Sequence, residues 1–181
     1  MSALRLSPAV AAWAQLAADL VNTRPRETDP PEKLVGVAEV RALLARCPEP
    51  APGVDARDVE ELRSVRAELV APFEAGTEAA FAEAVNPLLG RATGGWEMAA
   101  VAGGGWALEP AAGAGVADWF GARSARGLAE LVLAYGLDRL HMCAADDCLC
   151  AVVDVSRNGA RRYCSRTCAN RMSSRRHRQA H

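Results

Sequence analysis

The sequence predicts a mainly α (α+β) fold in two parts. Residues 1–138 are expected to form a helical domain with one small β-hairpin, and residues 139–181 a compact module built on cysteines. Three observations carry this. Apolar residues recur at helical spacing between Pro- and Gly-rich breaks. Four cysteines stand in two close pairs near the C-terminus. The charge is split, with eight of the 21 basic residues and none of the 22 acidic ones lying in 155–181.

The elements follow in order. Ser7-Pro8 opens the first helix as an N-cap followed by Pro at the first helical position. Trp13, Leu16, Ala17, Leu20 and Val21 give it one apolar face. Arg24 to Pro31 is polar and Pro-rich, hence a loop. A short helix is expected from Val37 to Arg46, ended by Cys47-Pro48, with Cys47 a small buried hydrophobe. Asp55 caps a third helix to about Val70, just before Pro72. A fourth spans about Glu78 to Leu89, with Pro87 expected to kink or end it.

Trp96, Met98 and Val101, then Gly103-Gly104-Gly105, then Trp106 and Leu108, predict a β-hairpin. The glycines lack the Lys-Ser/Thr of a phosphate loop, so no nucleotide site is expected there. The two tryptophans are either core residues or a stacking platform for bases. A fifth helix runs from Val116 to Tyr135, with Gly121 and Gly127 as candidate interruptions and Gly136 as its stop. Leu137 to Met142 then leads into the cysteine module with no long linker.

In that module four residues separate Cys143 from Cys148, fifteen lie between Cys148 and Cys164, and three separate Cys164 from Cys168. Two close pairs joined by a hairpin-length segment match a four-coordinate Zn2+ site, because the ion takes a tetrahedron of thiolates and a structural site is closed. The alternative is buried or disulfide-linked cysteines. No basic start followed by an apolar run marks a secretory leader, so a cytoplasmic chain with reduced thiols is expected. Cys150 and His141 are neighbours that four thiolates make unnecessary. Val152, Val153 and Val155 lead to Asn158-Gly159, which predicts a hairpin turn before Tyr163. Ser165 is a candidate N-cap for a last helix. Knuckle, hairpin and helix together make a treble-clef-like finger with four cysteine ligands.

Arg157, Arg161, Arg162, Arg166, Arg171, Arg175, Arg176 and Arg178 are the candidate nucleic-acid contacts. A solvated face normally mixes both signs, whereas this segment carries one. On a helix Arg171, Arg175 and Arg178 share a face. Arginine suits phosphate and guanine through its planar fork. No run approaches the ~20 apolar residues that span a bilayer. Nothing pairs a nucleophile with a base, so no enzyme is expected.

The C-terminal stretch resembles the CGNR zinc finger. The resemblance rests on Cys143, Cys148, Asp154, Ser156-Arg157-Asn158-Gly159, Arg161-Arg162, Cys164 and Cys168-Ala169-Asn170-Arg171. Ala169 stands where that family has Gly, which bears on close packing there and not on zinc. Leu149, Cys150, Ala151 and Val152 replace its larger apolar residues. Asp19-Leu20-Val21-Asn22-Thr23 resembles the signature of the ABATE domain found upstream of such fingers. Together these imply a bacterial-type, stress-induced transcription regulator with one structural Zn2+ and a DNA-binding finger. The helical domain would then dimerise or sense a small-molecule effector. Asp19 and Asn22 are candidate pocket residues, or else cap the helix end and bond the neighbouring loop. RNA binding and docking on an acidic protein surface are the alternatives for the arginines.

Overall fold

The structure is a computed structural model describing residues 6–24, 32–100, 104–111 and 113–179. The elements run α1 (Pro8–Val21), α2 (Val37–Leu44), α3 (Arg57–Glu74), α4 (Glu78–Leu89), β1 (Trp96–Ala100), β2 (Trp106–Pro110) and α5 (Val116–Tyr135). A 3-10 turn (Leu137–Arg139), β3 (Leu140–Met142), β4 (Ala151–Val153) and α6 (Arg166–Gln179) complete the chain. The mainly α prediction holds. Of the expected loop Arg24–Pro31 all but Arg24 lies outside the described residues, as do Val101 and Gly103 of the expected hairpin.

Helix α1 starts as its sequence dictates, with the Ser7 hydroxyl accepting from the Val10 amide at 3.2 Å and so satisfying one of the orphan N-terminal donors. It lies against α5. Gly127 sets that approach: a Cβ there would come within 2.6 Å of the Ala14 backbone nitrogen. The glycine expected to interrupt α5 therefore serves helix contact, and α5 is continuous. Trp13 packs edge-on to Trp119, with ring centres 5.1 Å apart, and to Phe120.

Two predicted helix ends are corrected. Helix α3 continues through Pro72 to Glu74, whereas α4 ends at Leu89 as expected, with Pro87 inside it. Each proline sits in the last turn, so the bend its ring and missing amide impose falls at the helix end, and Pro72 is itself buried. Helix α2 stops at Leu44, short of the expected Arg46. The Asp55 carboxylate caps α3 as expected, accepting from Arg57 and Asp58 amides.

The β1–β2 hairpin forms in the expected place, with Glu97 opposite Glu109 and Met98 opposite Leu108. Its pleat puts Glu97, Ala99, Ala107 and Glu109 on one face. That face turns inward, and Glu109 is buried, while Met98 and Leu108 are exposed.

Beyond residue 138 the chain still contributes to the helical core. Strand β4 pairs with β3, Leu140 opposite Val153, and is buried along its whole length. Ala151 and Val153 join the helical core formed by α1, α3 and α5, whereas Val152 joins the cysteine cluster. Period-two alternation thus divides one strand between two cores. The hairpin expected across Asn158-Gly159 is not a strand pair: β4 takes β3 as its partner, and residues 154–165 form a loop. Gly159 still turns the chain with φ +60, and the Arg139 guanidinium lies 3.0 Å from where a Cβ would stand.

Candidate metal centre and basic finger

Cys143 and Cys148 flank the first knuckle, Cys164 ends the loop, and Cys168 lies in the first turn of α6. Their four sulfurs lie within 4.8 Å of one another. Cys164 is 3.6 Å from both Cys148 and Cys168. A tetrahedron with Zn–S near 2.3 Å requires sulfurs about 3.8 Å apart, while a disulfide requires about 2.05 Å. The donor set therefore fits one structural zinc, and no cysteine among the described residues is disulfide-bonded.

Burial, as the largest cause, pushes the Cys148 and Cys164 thiols up, and Cys164 stands at about 12. Burial opposes ionisation at Cys168 as well, but hydrogen bonds from Ser165 and the neighbouring thiols bring it down. A bound dication reverses the burial penalty and holds such ligands as thiolates. The Ser165 hydroxyl also accepts from the Cys168 amide at 3.2 Å, confirming the expected cap.

Cys150 lies outside the sulfur cluster. Both His141 ring nitrogens face carbonyls, those of Met142 and Arg161, so the ring supports the loop. Buried Asp154 accepts from the Ser156 and Arg161 amides, each at 2.8 Å. Those bonds hold its carboxyl low despite burial. Arg139 reaches over from the end of α5. It donates to Ser156 O at 2.6 Å and stands over the Tyr135 ring. The sequence pattern gives Arg139 no role, since its partners lie 15 and 17 positions away.

The arginines divide into three groups. Arg161 is spent on structure: its guanidinium donates to the carbonyls of Val153, Tyr163 and Cys164. Arg171 pairs with Asp147 at 2.5 Å, and Arg175 with Asp146 and Asp147 at 3.5 and 3.6 Å. Two of the three members of the expected Arg171–Arg175–Arg178 face thus turn to the acidic knuckle between the first two ligands. Arg157, Arg162, Arg166, Arg176 and Arg178 are the third group, at the surface. Arg162 and Arg166 line a shallow groove of about 480 Å³ beside the start of α6.

Asp19 and Asn22 do not line a described cavity. Asp19 accepts from Gln15 and pairs with Arg46. The Asn22 side chain exchanges two hydrogen bonds with the Ala151 backbone, at 2.9 and 2.8 Å. It joins the end of α1 to β4, 129 residues on. The expectation that such a side chain satisfies backbone is met, but across the molecule and not locally.

A helical domain whose core is completed by a module with four clustered cysteines defines a zinc-finger protein. The family models agree. Residues 139–181 match the CGNR zinc finger, and residues 14–146 match ABATE, described as "Putative stress-induced transcription regulator". The second match covers most of the chain, so the protein belongs to the ABATE family. No curated protein matches it. No helix among the described residues is long and apolar enough to cross a membrane.

Proposed function

We propose that the protein is a non-catalytic transcription regulator whose finger binds DNA. The observation that carries this reading is the acid-free segment 155–181, from which five arginines project beside a zinc-fixed helix. Arg162 and Arg166 meet phosphate at the groove by the start of α6, where helix amides favour anions. Arg157, Arg176 and Arg178 extend that contact. Arg171 and Arg175 contribute less, since their knuckle carboxylates compete with phosphate. Zinc fixes the helix and does no chemistry. Phosphate contacts alone position the finger; base contacts must supply sequence choice.

The test is binding of the zinc-loaded protein to duplex DNA and RNA pools over a salt series. Duplex binding should enrich one sequence and weaken steeply with salt. Arg162→Ala/Arg166→Ala should lower the salt slope by about 2, at about one per phosphate contact. Arg171→Ala/Arg175→Ala should change it less. Absence of binding by a folded, zinc-loaded protein overturns the reading, and preferential capture of RNA replaces it with the RNA alternative.

A further inference from the structure

A cavity of about 900 Å³ opens between α1, α5, the loop around Pro48–Pro52 and the inward face of the β1–β2 hairpin. Its size is that of a small-molecule site. The hairpin is inverted for a simple packing role. It turns Ala99, Ala107 and Glu109 toward the cavity and leaves Met98 and Leu108 outside. The large apolar side chains of Met98 and Leu108 face away from it, while exposed Trp106 also lines it.

The cavity walls are aromatic and acidic. Trp13, Trp106 and Trp119 line it together with Glu49, Glu97 and Glu109. Two arginines also line it. Arg126 is already paired with Glu130. Arg123 is shared by Glu49, at 3.2 Å, and Glu109. One guanidinium between two carboxylates leaves negative charge in excess. Glu109 Oε2 lies against the Arg123 guanidinium as an ion pair without hydrogen-bond alignment, and both it and Arg123 Nε lack a hydrogen-bond partner. The Arg123 guanidinium lies 4.8 Å from the Trp119 ring centre and 5.6 Å from that of Trp13. These indoles thus already hold one cation, as ring quadrupoles favour. Burial pushes the Glu109 carboxyl up, the direction expected where a carboxylate lacks full compensation.

We propose that this cavity binds an organic cation carried on an apolar or aromatic body. The body would lie along Trp119 and the alanine face of the hairpin, and the charge would meet Glu109 and Glu49. An organic anion would face three carboxylates and two guanidiniums that are already paired. The site lies in the helical domain and its occupancy does not depend on whether the finger binds DNA.

The test uses full-length, zinc-loaded protein without nucleic acid. Calorimetry and tryptophan fluorescence would compare tetraphenylphosphonium and benzyltrimethylammonium with tetraphenylborate. The cations should bind, and the borate should bind at least about tenfold more weakly. Glu49→Gln/Glu109→Gln keeps the Trp13 hydrogen bond acceptor and should weaken the cations about tenfold or more. Ala107→Trp should plug the cavity and abolish binding with zinc content and helical signal unchanged. If it does not fold, Ala99→Phe on the same face serves. Equal binding of the borate, no cation binding up to about 1 mM, or undiminished binding in a folded plug variant overturns the proposal.

Discussion

The helical domain and the finger solve the same problem with different materials. The domain buries Leu20, Leu62, Leu69, Phe120, Leu128 and Leu131 in one continuous core, each 0% exposed. The finger's buried cluster is Cys143, Ala145, Cys148, Val152 and Cys168. Three of those five are metal ligands, so its core is its zinc site. Apolar burial at ~25 cal/mol per Å² holds the first. So few apolar groups cannot hold the second, and a metal must. Where the two meet, β4 belongs to both, and a region with little core of its own is fastened to one that has plenty.

Zinc removal breaks the comparison most strongly. Structural zinc is worth on the order of 10 kcal/mol, so a chelator should melt α6 and the loop before it. Ala151 and Val153 should stay protected, because they belong to the helical core. Hydrogen exchange on apo and zinc-loaded protein checks this. Uniform loss of protection would show that the two cores fold as one.

Acid should weaken the helical domain through an ion pair that no metal supports. Arg66 donates to both oxygens of Glu32, each at 2.7 Å. Mainly through that bond, the Glu32 carboxyl falls from 4.5 to about 2. Its folded value is depressed, so its stabilisation is complete above 4.5 and is lost as pH falls toward about 2. At 1.36 kcal/mol per unit this is at most about 3 kcal/mol. Denaturant melts of wild type and Glu32→Gln should differ at about pH 6 and converge toward about pH 2. A constant difference would remove the pair from the account.

The smallest effect sharpens the junction. Asn22→Ala removes both hydrogen bonds to Ala151 and should cost about 1–3 kcal/mol. Protection should fall at β4 first, with zinc affinity nearly unchanged. If zinc affinity falls by more than about tenfold, the helical domain also preorganises the metal site.

Much of this is legible locally. Ser7, Asp55 and Ser165 announce helix starts because caps act within three residues. The four ligands are visible because each pair spans a single turn. What the pattern does not show arises where partners are distant. Arg171 and Arg175 have the right helical spacing for a nucleic-acid face, but Asp146 and Asp147 claim them from across the metal. Asn22 has the look of a helix-end polar residue, and its partner is 129 positions away. Pro72 has the look of a stop, although it falls in the last turn, where the bend it imposes affects only the helix end.

The sequence alone determined the helices, the four-cysteine ligand set and the acid-free basic segment, because caps, ligand pairs and charge runs are short-range or compositional. Only the tertiary structure decided which arginines stay exposed, which strand β4 takes as partner and that the two regions share it. It also decided that the hairpin turns its acidic, small-residue face over a cavity. Those outcomes depend on packing between segments far apart in the chain, which no local pattern encodes.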